Sequence, residues 1–163
     1  MINTERLIKT FCDLAQIDSP SGEENTIAED LLKRLDSLGI DATRDTHGNV
    51  VAHEPGTSPL LLSAHMDTVE PGRGVKPKQK EGQIVSDGTT ILGGDCKAGL
   101  TAILEALTSI QEDKSERKPI EIAFTRGEEL GLVGARNLEF PTCNSKESIV
   151  FDGEGPPNRI TSG

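Results

Sequence analysis

Three apolar, strand-like runs in this chain each end on a side chain that can bind a cation. Leu60-Leu61-Leu62-Ser63-Ala64 delivers His65, Ile120 to Thr125 leads into Glu128-Glu129, and Ser148 to Phe151 stops at Asp152. A fourth acidic residue, Asp95, lies in the glycine-rich turn Leu92-Gly93-Gly94-Asp95 just ahead of a helical pattern at Ala98 to Ile110. In α/β sheets functional side chains gather beyond the carboxyl ends of the strands. A fold that aligns these runs therefore brings four separate stretches of chain to one place.

The remaining pattern supports such a fold. Asn3 precedes a helical stripe of Leu7, Ile8, Phe11, Leu14 and Ala15, and is its expected N-cap. Ser21 and Glu24 have the S-x-x-E spacing of a capping box for a second helix with the stripe Ile27, Ala28, Leu31, Leu32, Leu35 and Leu38, closed by Gly39. Ile40 to Thr46 and Asn49 to His53 flank His47-Gly48 and read as a hairpin. Pro71 to Lys80 reads as a loop, Gln83 to Ser86 as a short strand, and Leu130 to Leu138 as a helix. Strands alternating with helices predict an α/β sandwich. At 163 residues the chain can bury roughly two-thirds of its unfolded surface, enough for one core.

Composition excludes several functions. A formal charge of −10 opposes nucleic acid and anionic membrane surfaces as partners. With four Phe, no Tyr and no Trp, stacking on bases or sugars is not expected. Cys12, Cys96 and Cys143 form no C-x-x-C pair, so neither a disulfide framework nor a thiolate zinc site is suggested. No apolar run approaches membrane-spanning length and the first residues lack a signal-peptide pattern, so the cytoplasm is the expected compartment.

Each acidic stretch is weak alone. A carboxylate two residues after a histidine can orient a metal-bound imidazole. An Asp ahead of a helix can simply offset the helix dipole, yet the small residues Gly93, Gly94, Ala98 and Gly99 suit a tight backbone that presses a carboxylate on an ion. Adjacent Glu128 and Glu129 repel each other, so burying both requires a cation or a proton. One can then bind metal while its neighbour serves as general base.

Taken together, S-A-H-M-D-T-V-x-P-G (63–72), S-D-G-T-T-I-L-G-G-D-x-K-A-G (86–99), F-T-x-G-E-E-L-G-L-x-G-A (124–135) and the F-D-G-E-G at 151–155 resemble the di-zinc exopeptidase superfamily. That superfamily includes aminoacylases, glutamate carboxypeptidases, succinyl-diaminopimelate desuccinylases and peptidase T, and the motifs resemble most the peptidase T-like aminopeptidases. The resemblance implies a three-layer catalytic domain with a mixed central sheet flanked by helices. It implies that His65 and Asp152 bind one zinc, Asp95 bridges two across a cis Asp95–Cys96 peptide, and Glu129 binds the second. Asp67 would orient His65 and help poise the water, and Glu128 would be the general base. Cobalt or manganese are possible substitutes for zinc.

The implied activity is that of a zinc-dependent aminopeptidase on short peptides, tripeptidase-like, with a homodimer as the full-length form. Two departures accompany it. Cys96 stands where relatives often carry an acidic residue. The histidine that completes the second zinc site belongs, in relatives, to a C-terminal return beyond a lid or dimerisation domain, whereas the histidines here are at 47, 53 and 65. Arg159 to Gly163 resembles the start of a further strand, so residues 1–163 are expected to be the N-terminal portion of the catalytic domain. Two other readings stay open at this stage: a non-catalytic metal-binding fragment, and an N-acyl amino acid amidohydrolase of the same superfamily.

Overall fold

The computed structural model describes residues 1–138 and 144–153. Cys143, Glu154 and the strand expected from Arg159 lie outside the described residues. Helix α1 (Thr4–Ala15) starts at Asn3, whose side chain accepts from the Arg6 N–H as expected. Helix α2 (Asn25–Ser37) ends before Gly39, which adopts a left-handed φ of 71°. Strands β1 (Ala42–Arg44) and β2 (Val50–His53) form the expected antiparallel hairpin. Strand β3 (Leu60–His65) follows.

One expected loop is partly a strand. Lys78–Lys80 (β4) pairs antiparallel with Gln83–Val85 (β5) in a separate two-stranded ribbon. All three β4 residues are exposed, so no apolar alternation marks it in the sequence. Helix α3 (Gly94–Glu112) begins four residues before its apolar stripe, with Asp95 and Cys96 in non-helical conformation and a cis peptide between them. After β6 (Ile120–Thr125) comes α4, a single turn over Val133–Arg136 in place of the helix expected from Leu130 to Leu138. Leu130, Leu132 and Val133 are exposed, so that apolar spacing has no core to pack on. Strand β7 (Glu147–Val150) completes the described elements.

The five-stranded sheet has the order β1-β2-β6-β3-β7, mixed in direction and flanked by helices. Strand β6 sits in its centre, antiparallel to β2 and parallel to β3, with every residue buried. Its alternate residues Ile120, Ile122 and Phe124 share one hydrophobic cluster with Leu62 and Ala64 of β3, Leu14 of α1, Ile27, Leu31 and Leu35 of α2, and Leu100, Ile103 and Leu107 of α3. On the other face Glu121 is fully buried, with His53 Nδ1 at 2.7 Å from its carboxylate and the amides of Asn144 and Ser145 donating to it.

For function the key fact is direction. Strands β3, β6 and β7 run parallel, with His65 in register with Thr125 and Ser63 with Val150. Their carboxyl ends open on one edge. His65, the turn after Thr125 and Asp152 meet there.

Candidate metal centre

His65 is 2% exposed at the end of β3. Its Nδ1 lies 2.8 Å from the Asp67 carbonyl oxygen and 3.4 Å from Asp67 Oδ1. Both are acceptors, so Nδ1 carries the proton and Nε2 is turned outward. Nε2 faces Asp95 Oδ1 at 2.9 Å and Asp152 Oδ1 at 3.8 Å. Burial disfavours the imidazolium, but hydrogen bonds to Asp67 and Asp95, with the charges of Asp67 and Asp152, outweigh it and raise the pKa to about 9. A proton on Nε2 thus stands where the carboxylates around it would accept a cation.

The Asp67 carboxylate, fully buried, is aimed mainly at another loop. It accepts the N–H groups of Glu128 (2.9 Å) and Glu129 (3.2 Å) and the Ser21 hydroxyl (2.6 Å). Burial alone would push its pKa up, but the His65, Ser21 and backbone hydrogen bonds dominate and hold it at about 2. A buried charge is tolerated only when so satisfied. The orienting contact to His65 comes closest through the main chain of Asp67, and its side chain binds the Glu128-Glu129 backbone.

That backbone turns sharply because it is clamped from below. Asn49 Oδ1 accepts the Arg126 N–H, and Asn49 Nδ2 donates to the Gly134 carbonyl. A Cβ on Gly134 would sit 2.2 Å from Asn49 Oδ1 and 2.6 Å from the Arg126 carbonyl oxygen, so only glycine permits this approach. Glu128 is half-buried and Glu129 exposed.

On the opposite flank Asp95 projects with 71% of its side chain exposed. Cys96, buried behind it, donates its S–H to the Phe151 carbonyl (2.7 Å), tying the residue before Asp152 to the first turn of α3. Gly99 completes that seam, since a Cβ there would lie 2.4 Å from the same carbonyl oxygen. Burial and the charges of Asp152 and Asp95 push the Cys96 thiol up to about 12. Lys97, 1% exposed, donates to the Ile17 carbonyl (2.6 Å), and burial lowers its ammonium to about 8.

Two groups of donor atoms result, each within 4.8 Å of one another: His65, Asp95, Cys96 and Asp152, and His65, Glu128 and Glu129. These groups hold five of the six residues singled out from the sequence, and the sixth, Asp67, lies behind them on His65 and on the Glu128-Glu129 amides. Glu129 has its pKa raised by burial and by the Asp95 charge. Asp152 is raised by burial and by Asp95 and Glu128, against the opposing pull of His65. An imidazole nitrogen and carboxylates crowded against one another fit a zinc-type cation, whose charge would relieve their repulsion.

Ser21, Glu24, Asn49 and Lys97 were not expected at this site. Only Lys97 carried a signal, through its place in G-D-x-K-A-G.

A mixed α/β domain whose parallel strand ends converge on a histidine and a carboxylate cluster has the architecture of a peptidase catalytic domain. The sequence profile of Peptidase family M20/M25/M40 matches residues 61–147, and the chain belongs to that family. The crystal structure of a tripeptidase from Staphylococcus aureus superposes with a TM-score of 0.91 at 40% identity, covering 95% of this chain and 45% of that one. Aminopeptidase PepT from Bacillus cereus gives 0.89 at 40% identity, covering 94% and 44%. Peptidase T of Listeria welshimeri is 28% identical over 202 residues, covering 93% of this chain and 49% of its own length. The chain spans about half the length of the curated relatives it matches.

Proposed function

We propose that residues 1–163 form the N-terminal portion of the catalytic domain of a zinc-dependent exopeptidase, an aminopeptidase acting on short peptides in the manner of a tripeptidase. The observation that carries this reading is the convergence of His65, Asp95, Asp152, Glu128 and Glu129, from four separate stretches, in two groups that share His65, each with its ligand atoms within 4.8 Å of one another. Similarity to a tripeptidase and to an aminopeptidase PepT supports the substrate class.

His65 Nε2, Asp95 and Asp152 would hold one divalent cation, and Asp95 with Glu129 would contribute to a second. Bound there, such a pair supplies Lewis acidity to the scissile carbonyl and lowers the pKa of the attacking water. The chain's own residues do the rest. Asp67 fixes the His65 tautomer and holds the Glu128-Glu129 turn. Glu128 takes the proton of the attacking water and returns it to the leaving amine. Asp95 presents its exposed carboxylate beside His65 and Asp152. Cobalt or manganese can replace zinc in such a donor set. The cytoplasm and a homodimeric full-length form belong to the same reading; among the described residues no helix is long and apolar enough to cross a membrane.

The test is metal content together with tripeptide hydrolysis, for this chain and for the full-length protein that contains it. Glu128→Gln in the full-length protein is expected to lower turnover by roughly 10²–10⁴ with zinc retained, the usual contribution of a general base. Turnover by that variant at the wild-type rate contradicts the assignment.

A further inference from the structure

The connection between α1 and α2 touches three of the four loops that carry a candidate catalytic or ligand residue: the Asp95 turn, the His65-Asp67 loop and the Glu128-Glu129 turn. Ile17 accepts from Lys97 beside the Asp95 turn. Ser19 Oγ donates to the Met66 carbonyl (2.9 Å), and its own carbonyl accepts the Thr68 N–H (3.0 Å), bracketing Asp67 on both sides. Ser21 Oγ donates to Asp67 Oδ2. Glu24, 4% exposed, accepts the N–H groups of Gly22 (2.8 Å) and Gly127 (3.0 Å) on one oxygen.

Three consecutive amides, those of Gly127, Glu128 and Glu129, therefore end on two buried carboxylates, Glu24 for the first and Asp67 for the other two. Ser21 and Glu24, three residues apart in one turn, anchor both ends of this arrangement. Neither caps α2, whose N-terminus at Glu24 has no side-chain cap. The S-x-x-E spacing serves the site instead of the helix.

We propose that Ser21 and Glu24 are positioning residues for the Glu128-Glu129 pair. Ser21 acts through Asp67 and Glu24 acts directly on the amide that precedes the pair. Pinning three successive N–H groups removes the freedom of the turn before a ligand arrives, so the two carboxylates leave a fixed backbone in fixed directions. This inference rests on reading Glu128 and Glu129 as base and ligand.

A positioning role and a purely stabilising one differ in where the structure loosens. Amide hydrogen exchange in the full chain separates them, with the amides of β6 as internal reference. In Ser21→Ala the Glu128 and Glu129 amides should exchange about ten-fold faster or more relative to β6, the weight of one charge-assisted hydrogen bond. Glu24→Ala should do the same at Gly127. Ser21→Thr and Glu24→Gln, which keep a hydroxyl and an acceptor oxygen, should restore protection. Zinc affinity in Ser21→Ala should fall by roughly 10–100-fold, as when a residue supporting metal ligands is lost.

Unchanged exchange at 127–129 in both alanine variants overturns the proposal, and so does acceleration that is equal at β6. Glu128→Gln separates this inference from the function it rests on. Normal tripeptide turnover in Glu128→Gln, with selective loosening in Ser21→Ala, sinks the base assignment alone. Lost turnover in Glu128→Gln, with 127–129 unmoved in both Ser21→Ala and Glu24→Ala, sinks the positioning role alone.

Discussion

The floor and the rim of the metal centre are built from the same residue types and behave in opposite ways. On the floor, Asp67 and Glu24 are buried carboxylates, and each is satisfied by donors from the chain itself: two amides and the Ser21 hydroxyl for Asp67, two amides for Glu24. Asp67 is held at about 2. On the rim, Glu129 and Asp152 have raised pKa values, with burial the leading cause and the Asp95 charge adding to it. The positive charge that opposes this shift in both is that of His65. The floor is complete without a ligand, whereas the proposed cation would complete the rim.

The most severe way to break the comparison is to damage the floor. Asp67→Asn leaves one acceptor oxygen and turns an amide nitrogen on the donors of the other, Glu128 on one side or Glu129 and Ser21 on the other, and the lost charge-assisted bonds should cost roughly 3 kcal/mol in urea unfolding, with zinc binding weakened as well. A variant of wild-type stability would mean that Asp67 is not what fixes the Glu128-Glu129 turn.

The pH dependence of the metal-free chain gives a smaller and directional effect. His65 rises from 6.5 to about 9 on folding, so its contribution is fully present below about 6.5 and is lost as pH rises through 9. Thermal unfolding in chelator should therefore show a Tm that falls between these values. Excess zinc should remove that fall, because the ligands must shed protons to bind metal. On the acid side Asp67 loses stability as pH drops toward 2, and Glu129 and Asp152 act against it. The alkaline limb is thus the cleaner reading, and a Tm that climbs from 6.5 to 9 in chelator would contradict it.

The smallest effect is expected behind the rim. Cys96→Ala removes the S–H bond to the Phe151 carbonyl and should cost about 0.5–1.5 kcal/mol, with Cys96→Ser recovering part of it. An effect on zinc affinity as large as that of Ser21→Ala would give Cys96 a greater share in the site than the geometry does.

The sheet and the rim were legible in the sequence, and most of the floor was not. Apolar runs ending on His65 and Asp152 announce themselves because a buried strand must be apolar and its end need not be. The six candidate side chains fell in motifs for the same reason. Ser21 and Glu24 misled because S-x-x-E describes a local hydrogen-bond pattern, while here both side chains bond to residues 46 and 103 positions away. Asn49 gave no sign, since its bonds to Arg126 and Gly134 exist only once β2 lies beside β6. Strand β4 and the short α4 failed for the opposite reason: exposed residues make periodicity a poor guide to what packs.

Zinc titration of the metal-free chain near neutral pH asks whether the rim takes the proposed cation. At least one zinc should bind per chain with release of a proton, and binding should be lost in both His65→Ala and Asp95→Asn. Absence of binding at micromolar zinc, or undiminished binding in those two variants, would contradict the account.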